Sequence, residues 1–467
     1  MADNKNNELR EKLLVKAQNG AAKVGTQVLE QADKFCEGYK AFLDAGKTER
    51  EAVCDIVRQA KENGFVEYER GVVYKKGDRV YKINRNKAVI LTIIGGQPVE
   101  KGVLLSAAHI DSPRLDLKPN PLYENDDLAF FKTHYYGGIK KYQWAAIPLS
   151  LHGVVCKADG TSVTVRIGEE PGDPQLVITD LLPHLAAEQM SRKANEVLRG
   201  ENLNLLIGSR PLPDDEGSDS VKLNVMRILN EKYGIVEEDF LSAELEAVPA
   251  FPARDIGFDR SMIGAYGHDD RVCAYPSMIA LFDIEGAPEY TAVVCLTDKE
   301  ETGSDGNTGL NSAYLVNFIH DLAEMQGGNG RVALSNSRCL SADVNAAYDP
   351  NFADVYEKRN ASIVNGGVVM TKYTGARGKG GTSDASAEYV AHCRRIFDSE
   401  DVLWQSGELG KVDAGGGGTV AMYIANHDID VVDIGVPVLS MHAPFEVVSK
   451  LDVYMTYKAV AAFFKKG

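Results

Sequence analysis

One stretch of sequence decides the fold class: residues 291–301, with the sequence TAVVCLTDKEE. Its first part, Thr291–Leu296, is a largely apolar run of strand length, typical of a strand buried on both faces of a parallel sheet. Acidic side chains follow where the run ends, at Asp298, Glu300 and Glu301. In α/β sheets, ligands bind outside the carboxyl ends of the strands. The stretch therefore predicts an α/β fold with a functional site at the end of this strand.

Three further strand-like runs end in side chains that can bind a metal. They are Val103–Ala108, which leads to His109 and Asp111; Cys339–Ala342, which leads to Asp343; and Val431–Leu439, which leads to His442. Taken singly, such a histidine is more often structural, and such an aspartate more often caps a helix or a turn. Their common position at strand ends predicts that they converge in space. Nitrogen and oxygen ligands without thiolates suit zinc, manganese or cobalt.

The pair Glu300-Glu301 has a chemical use in such a site, although adjacent glutamates are usually only a solvated pair. In a two-metal hydrolase, one carboxylate can bind a metal while its neighbour takes the proton of the attacking water. Successive residues point in different directions, so neighbours can divide these tasks. In His109-Ile110-Asp111, a carboxylate two residues on can hold the imidazole through its second nitrogen.

Composition restricts the class of protein. A net charge of −16 argues against a nucleic-acid or anionic-membrane partner, because phosphate-rich surfaces attract basic proteins. The first 30 residues show no signal peptide, and no apolar run approaches the roughly 18–20 residues of a membrane span. The 7 cysteines form no C-x-x-C pair, so free thiols in a reducing compartment are expected rather than a thiolate zinc site. We therefore expect a cytoplasmic protein with neither a nucleic-acid nor a membrane partner.

The chain changes character along its length. A chain of 467 residues favours two domains. Thr48 followed by Glu51 predicts the capped start of a helix that ends at Asn63-Gly64. Strand-like or helical runs follow on either side of a middle region, and the predicted elements are Val72–Tyr74, Arg79–Ile83, Ala88–Ile94, Val163–Ile167, Met190–Leu198, Asn311–Met325 and Leu451–Phe464.

These patterns predict an α/β fold with a mixed, mostly parallel sheet flanked by helices and an inserted, β-rich second domain. Residues 1–118 and 258–467 are predicted to form the outer domain, which carries the strand-end ligands. Residues 119–257, where alternating strands and Gly/Pro-rich loops dominate, are predicted to form the inserted domain.

Six motifs follow one another in an order that is specific as a set. They are AHIDSP (108–113), YGG (136–138), PHLA (183–186), DKEETGS (298–304), SAD (341–343) and MHAPFE (441–446). With them the chain resembles the metallopeptidase family of aspartyl aminopeptidase and vacuolar aminopeptidase I, from about residue 35 to the C-terminus. The resemblance implies an aminopeptidase with two divalent metal ions, zinc first and manganese or cobalt as alternatives.

By this resemblance, His109 and Asp343 would hold one metal ion, and Glu301 and His442 the other. The aspartate that bridges the ions is expected in Gly267–Arg271, where we assign it to Asp269 by register; a register error would move it to Asp270.

The resemblance also implies that Glu300 is the general base and that Asp111 orients His109. Two alternatives stay open at this point. One is a related two-metal deacylase or carboxypeptidase with the same ligands, and the other is a non-catalytic assembly protein that has kept the fold.

Specificity and assembly depend on the resemblance alone. Relatives that prefer N-terminal Asp or Glu carry a lysine in a segment like Val369–Tyr373, so Lys372 is the candidate for binding an acidic side chain. An exposed strand lysine is the alternative, and some relatives favour leucine-like residues. His184 either contributes to the site of a neighbouring subunit or is structural. The middle domain implies subunit contacts in a large homo-oligomer, typically a dodecamer.

Overall fold

The computed structural model describes residues 2–14 and 19–467. The α-helices of this part, in chain order, are α1 (Ala2–Leu13), α2 (Thr26–Ala45), α3 (Glu49–Glu62), α4 (Ala187–Met190), α5 (Ser220–Tyr233), α6 (His268–Phe282), α7 (Tyr314–Met325), α8 (Gly330–Ser335), α9 (Ala387–Ser399), α10 (Ala421–Ala425) and α11 (Lys450–Lys466). None of the helices in these two ranges is both long and apolar enough to cross a bilayer.

The strands form three sheets. In chain order they are β1 (Val66–Glu67), β2 (Arg79–Asn84), β3 (Ala88–Ile93), β4 (Val103–His109), β5 (Arg114–Asn125), β6 (Leu128–Tyr136), β7 (Leu149–Cys156), β8 (Ser162–Ile167), β9 (Leu205–Gly208), β10 (Ala243–Pro249), β11 (Arg254–Ile256), β12 (Met262–Ala265), β13 (Thr291–Thr297), β14 (Arg338–Ala342), β15 (Asn345–Ala346), β16 (Val368–Thr371), β17 (Trp404–Ser406), β18 (Asp430–Gly435), β19 (Pro437–Leu439) and β20 (Glu446–Ser449).

The large sheet has the strand order β1-β2-β3-β13-β4-β14-β18-β16-β17. Its central strands β13, β4, β14 and β18 run parallel, whereas β3 and β16 join them antiparallel on either side. The sheet is therefore mixed with a parallel centre, as the apolar runs predict. Because β4, β13 and β14 are parallel neighbours, their carboxyl ends lie side by side at one edge.

Both faces of the large sheet are covered. Along β13, Ala292, Val294 and Leu296 belong to one core, and Val293 and Cys295 belong to the other. One core includes side chains of α2, α3, α6, α9 and α11, and the other includes those of α7, α8 and α10. Burial on both faces explains why the strand shows a continuous apolar run rather than an alternating one.

A second sheet, in the order β8-β7-β10-β5-β6-β9, is antiparallel in its described pairings and has a separate apolar core. It begins at Arg114, so residues 114–118 contribute to it as well as the middle region that starts at residue 119. A third, smaller sheet has the strand order β11-β12-β20-β19-β15. Two of its strands, β15 and β19, follow β14 and β18 of the large sheet directly along the chain.

Several sequence predictions fail locally. Val72–Tyr74 forms no strand, and Val72 and Val73 are exposed, so no sheet face buries them. The helix predicted over Met190–Leu198 is absent; α4 ends at Met190, which is itself exposed. The helix capped by Thr48 and Glu51 is confirmed as α3, and Asn63 is its C-cap residue.

One predicted strand, Val431–Leu439, is two strands in different sheets. β18 ends at Gly435 in the large sheet, and β19 begins at Pro437 in the third sheet. A Cβ atom on Gly435 would lie 1.7 Å from the carbonyl oxygen of Asp343, so only glycine permits this close approach. His442 therefore follows a strand of the third sheet, not of the large one.

Candidate metal centre

The candidate metal ligands converge at the carboxyl ends of the central strands. β4 ends at His109, a 3₁₀ turn after β13 carries Glu300 and Glu301, and β14 is followed by Asp343. Asp269 lies at the start of α6, and His442 lies in the turn between β19 and β20. The structure thus brings together all five predicted ligands and Glu300.

The two imidazoles are oriented in the same way. His109 donates from Nδ1 to the carbonyl oxygen of Asp111 at 3.0 Å, and His442 donates from Nδ1 to the carbonyl oxygen of Gly138 at 2.8 Å. A carbonyl oxygen can only accept, so each Nδ1 carries the proton and each Nε2 is left to act as a metal ligand. The carboxylate oxygen Oδ1 of Asp111 is slightly farther from His109 Nδ1, at 3.3 Å.

Asp269 lies between these imidazoles. Its Oδ1 is 3.1 Å from His109 Nε2, and its Oδ2 is 3.1 Å from His442 Nε2. Asp270 faces elsewhere: its Oδ2 accepts the backbone N–H of His109 at 3.3 Å. Of the two candidates for a bridge, Asp269 has the bridging geometry.

Glu300 and Glu301 point toward different histidines. Glu300 Oε2 is 3.7 Å from His109 Nε2, and Glu301 Oε2 is 3.6 Å from His442 Nε2. Asp343 completes the His109 side, with its Oδ1 3.9 Å from His109 Nε2. The carboxylates of these adjacent residues therefore lie toward different histidines, although a ligand atom of Glu301 also lies within 4.8 Å of one of His109.

Asp111 holds the turn that presents this pair. Its Oδ1 accepts the backbone N–H of Glu300, and its Oδ2 accepts that of Glu301, each at 3.2 Å. Tyr136 donates its hydroxyl proton to Asp111 Oδ2 at 2.7 Å. Burial opposes ionisation of Asp111, but hydrogen bonds with His109 and Tyr136 outweigh that effect and lower its pKa.

The YGG motif packs directly on the site. Gly137 has φ 74°, and a Cβ atom there would lie 3.1 Å from Glu301 Oε2. Gly138 supplies the carbonyl oxygen that orients His442. A Cβ atom on Gly138 would lie 3.3 Å from His442 Nδ1, so a side chain at either position would crowd a candidate ligand.

The charge of the site suits divalent cations. Burial is the main cause that raises the pKa of Glu300 to about 7 and that of Glu301 and Asp343 well above the ordinary range, and the neighbouring carboxylate of Asp269 adds to the effect in each case. Carboxylates this crowded repel one another when ionised, and bound cations relieve that repulsion. Glu301 Oε1 is buried without a hydrogen-bond partner, which leaves it available as a ligand atom. The donor set of imidazole nitrogens and carboxylate oxygens therefore fits zinc, manganese or cobalt.

A cavity of about 420 Å³ opens onto these groups. Asp269, Glu300, Glu301, Asp343 and His442 line one side of it. The remaining lining is largely apolar or glycine-rich and includes Val344, Leu409, Gly416, Gly417, Gly418, Met422, Tyr423 and Met441. Among the described residues, no lysine or arginine lines this cavity.

Comparison with known proteins identifies the family. Residues 42–464 match the family model of the aminopeptidase I zinc metalloproteases, M18. A curated relative from Clostridium acetobutylicum, named "Probable M18 family aminopeptidase 1", is 50% identical over 459 residues, covering 97% of this chain and 98% of the relative. The chain belongs to the M18 aminopeptidases.

Solved structures agree with that assignment. The crystal structure of the M18 aminopeptidase from Thermotoga maritima matches with a TM-score of 0.93 at 45% identity, covering 97% of this chain and all of the other. Aminopeptidase I from C. acetobutylicum matches with a TM-score of 0.90 at 47% identity, over 97% of this chain and 100% of that one. The chain is thus a metal-dependent aminopeptidase, a hydrolase of a zinc metallopeptidase family, and neither the deacylase or carboxypeptidase nor the assembly protein left open above.

Two predicted substrate-binding residues of this M18 aminopeptidase lie outside the cluster. Lys372 is exposed and pairs with Asp384, with Nζ 3.2 Å from Oδ1, and it does not line the cavity. His184 is exposed in a short 3₁₀ turn, and it does not line the cavity either.

Sequence reasoning missed Glu446, although the residue closes the MHAPFE motif. Its carboxylate is buried and accepts the backbone N–H groups of His442 and Asp269. The only signal in the sequence is the position of Glu446 four residues after the candidate ligand His442, because nothing in the sequence relates Glu446 to Asp269.

Proposed function

We propose that this aminopeptidase removes N-terminal residues from peptides with two metal ions and Glu300 as the general base. The divergence of Glu300 and Glu301 toward different histidines carries the proposal. His109 and Asp343 would hold one ion, Glu301 and His442 the other, and Asp269 both. Zinc is the first candidate, with manganese and cobalt as alternatives.

The chain's own groups divide the work of hydrolysis. Bound ions would act as Lewis acids, which lower the pKa of the attacking water and polarise the carbonyl group of the substrate. Glu300 accepts the proton of the attacking water and passes it to the amine that leaves. Its carboxylate suits this task because it lines the cavity. Asp111 fixes the turn that aims it.

An alternative role for Glu300 is that of a metal ligand, since ligand atoms of His109, Glu300 and Asp343 all lie within 4.8 Å of one another. Glu300→Gln distinguishes the two roles. As the base, Glu300 is needed for proton transfer only, so the variant should retain zinc affinity and lose at least about 100-fold in kcat. Glu301→Gln is the matched control and should lose zinc affinity as well. A Glu300→Gln variant with weakened zinc binding would make Glu300 a ligand.

First-residue preference is a finer part of the proposal. An acidic preference requires a cation near the bound side chain, and Lys372 is the residue proposed for it. The apolar cavity lining and the Lys372–Asp384 pair favour neutral, leucine-like side chains instead. Aminoacyl-anilides of Asp, Glu, Leu and Lys, assayed with zinc, manganese or cobalt, decide between them. If acidic substrates are preferred, Lys372→Ala should raise their KM; if selectivity is unchanged, Lys372 has no such role.

We also propose that the protein assembles into a homododecamer. The second sheet and its loops, within the predicted domain of residues 119–257, would form the contacts between subunits. A yeast aminopeptidase of the same fold, mApe1, was solved as a dodecamer at 20% identity and a TM-score of 0.76. Apolar side chains are exposed around His184, notably Leu185 at 69% and Met190 at 72%. Contact with a neighbouring subunit would cover these apolar side chains. It would also bring His184 close to the cavity of that neighbouring subunit.

Light scattering of the purified protein tests this assembly. The wild type should have the mass of twelve chains, and Leu185→Asp should shift the distribution toward smaller species, because it puts a charge into the proposed contact. Glu216→Gln, on an exposed loop of the same region, is a control that removes a charge without adding one. A monomeric wild type would refute the proposal.

A further inference from the structure

Glu446 contacts the backbone of two candidate ligands at once. It is the first residue of β20, and its side chain is only 1% exposed. Its Oε1 accepts the N–H of His442 at 2.7 Å, and its Oε2 accepts the N–H of Asp269 at 3.1 Å. One rigid carboxylate therefore joins the turn before β20 to the start of α6.

Both backbone segments need such support. His442 has φ 63° and Ser440 has φ 58°, in the left-handed region that non-glycine residues seldom adopt. Asp269 has φ −76° and ψ 105°, which is not helical although it lies at the start of α6. Neither segment is therefore fixed by regular secondary structure, and the carboxylate of Glu446 supplies the acceptors that their N–H groups require.

We propose that Glu446 is a positioning residue that sets the spacing of Asp269 and His442 and thereby the affinity of the metal ion that these two share. The inference rests on the proposed two-metal function. Asp269 Oδ2 and His442 Nε2 are 3.1 Å apart, so a small displacement of either backbone changes the pair. Asp269 would serve both ions, but His442 would serve only one, and the His109 side is also held by Asp111. The ion at His442 should therefore depend on Glu446 more strongly than the other.

The substitution Glu446→Gln distinguishes this role from one in which the Glu446 side chain only packs against its neighbours. An amide of the same shape offers one accepting oxygen, and its NH₂ group faces an N–H that it cannot bind. Loss of an outer hydrogen-bond partner of a metal ligand weakens metal binding about 10- to 100-fold. We expect that loss for the ion at His442, and a smaller rise in the Kd of the other ion, which shares only Asp269 with it.

Asp452 is a matched control. It is a buried carboxylate on α11 whose oxygens accept the backbone N–H groups of Asn365 and Gly367, each at 2.7 Å. Neither of these is a candidate ligand. Asp452→Asn removes the same kind of double contact from another part of the molecule, so it should lower the Tm without changing either zinc affinity.

The experiment is a zinc titration of metal-free protein against a chromophoric chelator, with the Tm of each variant recorded in parallel. A selective loss of one ion in Glu446→Gln, absent from Asp452→Asn, supports the role. Equal weakening of both ions, unchanged affinities, or the same loss in Asp452→Asn would each overturn it. If Glu446→Gln does not fold, Glu446→Asp, one methylene shorter, should show the same selective loss to a smaller extent.

A failure of the two-metal proposal gives a different result. If the wild type takes up one ion only, that proposal is refuted. The role of Glu446 is then decided by whether Glu446→Gln weakens the single ion more than Asp452→Asn does: a larger loss supports it, and an equal loss overturns it.

Discussion

At the scale of single residues, Asp111 forms hydrogen bonds with several different parts of the candidate site. Its carboxylate accepts the N–H groups of Glu300 and Glu301 and the hydroxyl of Tyr136, and its carbonyl oxygen orients His109. It thus fixes a histidine and the glutamate pair together. The sequence motif H-x-D predicts only the contact with the histidine, because the glutamate turn is distant in the chain.

Asp111→Asn tests how strongly the turn depends on this carboxylate. The amide has one accepting oxygen for three donors, so the turn should loosen and kcat at saturating zinc should fall about 10- to 100-fold. Tyr136→Phe removes one donor and keeps both backbone contacts, so its effect should be smaller. Steady-state kinetics with the best anilide substrate measure both, and an Asp111→Asn variant as active as the wild type would contradict the expectation.

At the scale of elements, the start of α3 connects to the second sheet. Thr48 and Glu51 form the capping box that the sequence predicts. The other carboxylate oxygen of Glu51, Oε1, forms a hydrogen bond with His152 Nδ1 on β7 at 2.8 Å. The second ring nitrogen of His152 faces Ser150 Oγ at 3.0 Å and Glu169 Oε1 at 3.4 Å.

This contact makes a pH-dependent contribution to stability. Burial acts to lower the pKa of His152, but hydrogen bonds with Glu169 and Glu51 outweigh it and raise the folded-state pKa above 6.5. A raised histidine pKa stabilises the fold fully below the unfolded value of about 6.5 and loses that effect as pH rises through the folded value. His152→Gln should therefore lose most Tm relative to the wild type in acid and less above the folded pKa. A Tm difference that grows with pH would contradict this sign.

The strand ends predict most of the convergence seen at the candidate site, and the exceptions have physical causes. His109, Glu300, Glu301 and Asp343 follow parallel neighbours of one sheet, so their convergence follows from topology. His442 converges for another reason, because the chain leaves that sheet at Gly435. The sequence does not distinguish Asp269 from Asp270, since backbone dihedrals at the start of α6 decide which carboxylate faces the imidazoles.

At the scale of the whole molecule, the candidate centre lies between two sheets. The large sheet supplies His109 and the glutamate pair, and the third sheet supplies His442 and Glu446. Ions bound there would link the sheets, and a ligand that binds only the folded state stabilises it by about 2.7 kcal/mol at one hundred times its Kd. The Tm should therefore fall on chelation and rise again with free zinc, together with activity. A Tm that does not respond to zinc would contradict this coupling.

The second sheet also has a consequence for protein engineering. Arg114 on β5 lies between Glu49 of α3 and Glu246 of β10, at 3.2 and 3.3 Å, and its guanidinium stacks 3.9 Å from the ring centre of Tyr136. Tyr136 in turn donates to Asp111. Excising the strands from Arg114 to Pro249 would delete this tyrosine and its support together with YGG. A chain trimmed to its large sheet would keep candidate ligands and lose part of what positions them, so we expect it to be a poor enzyme.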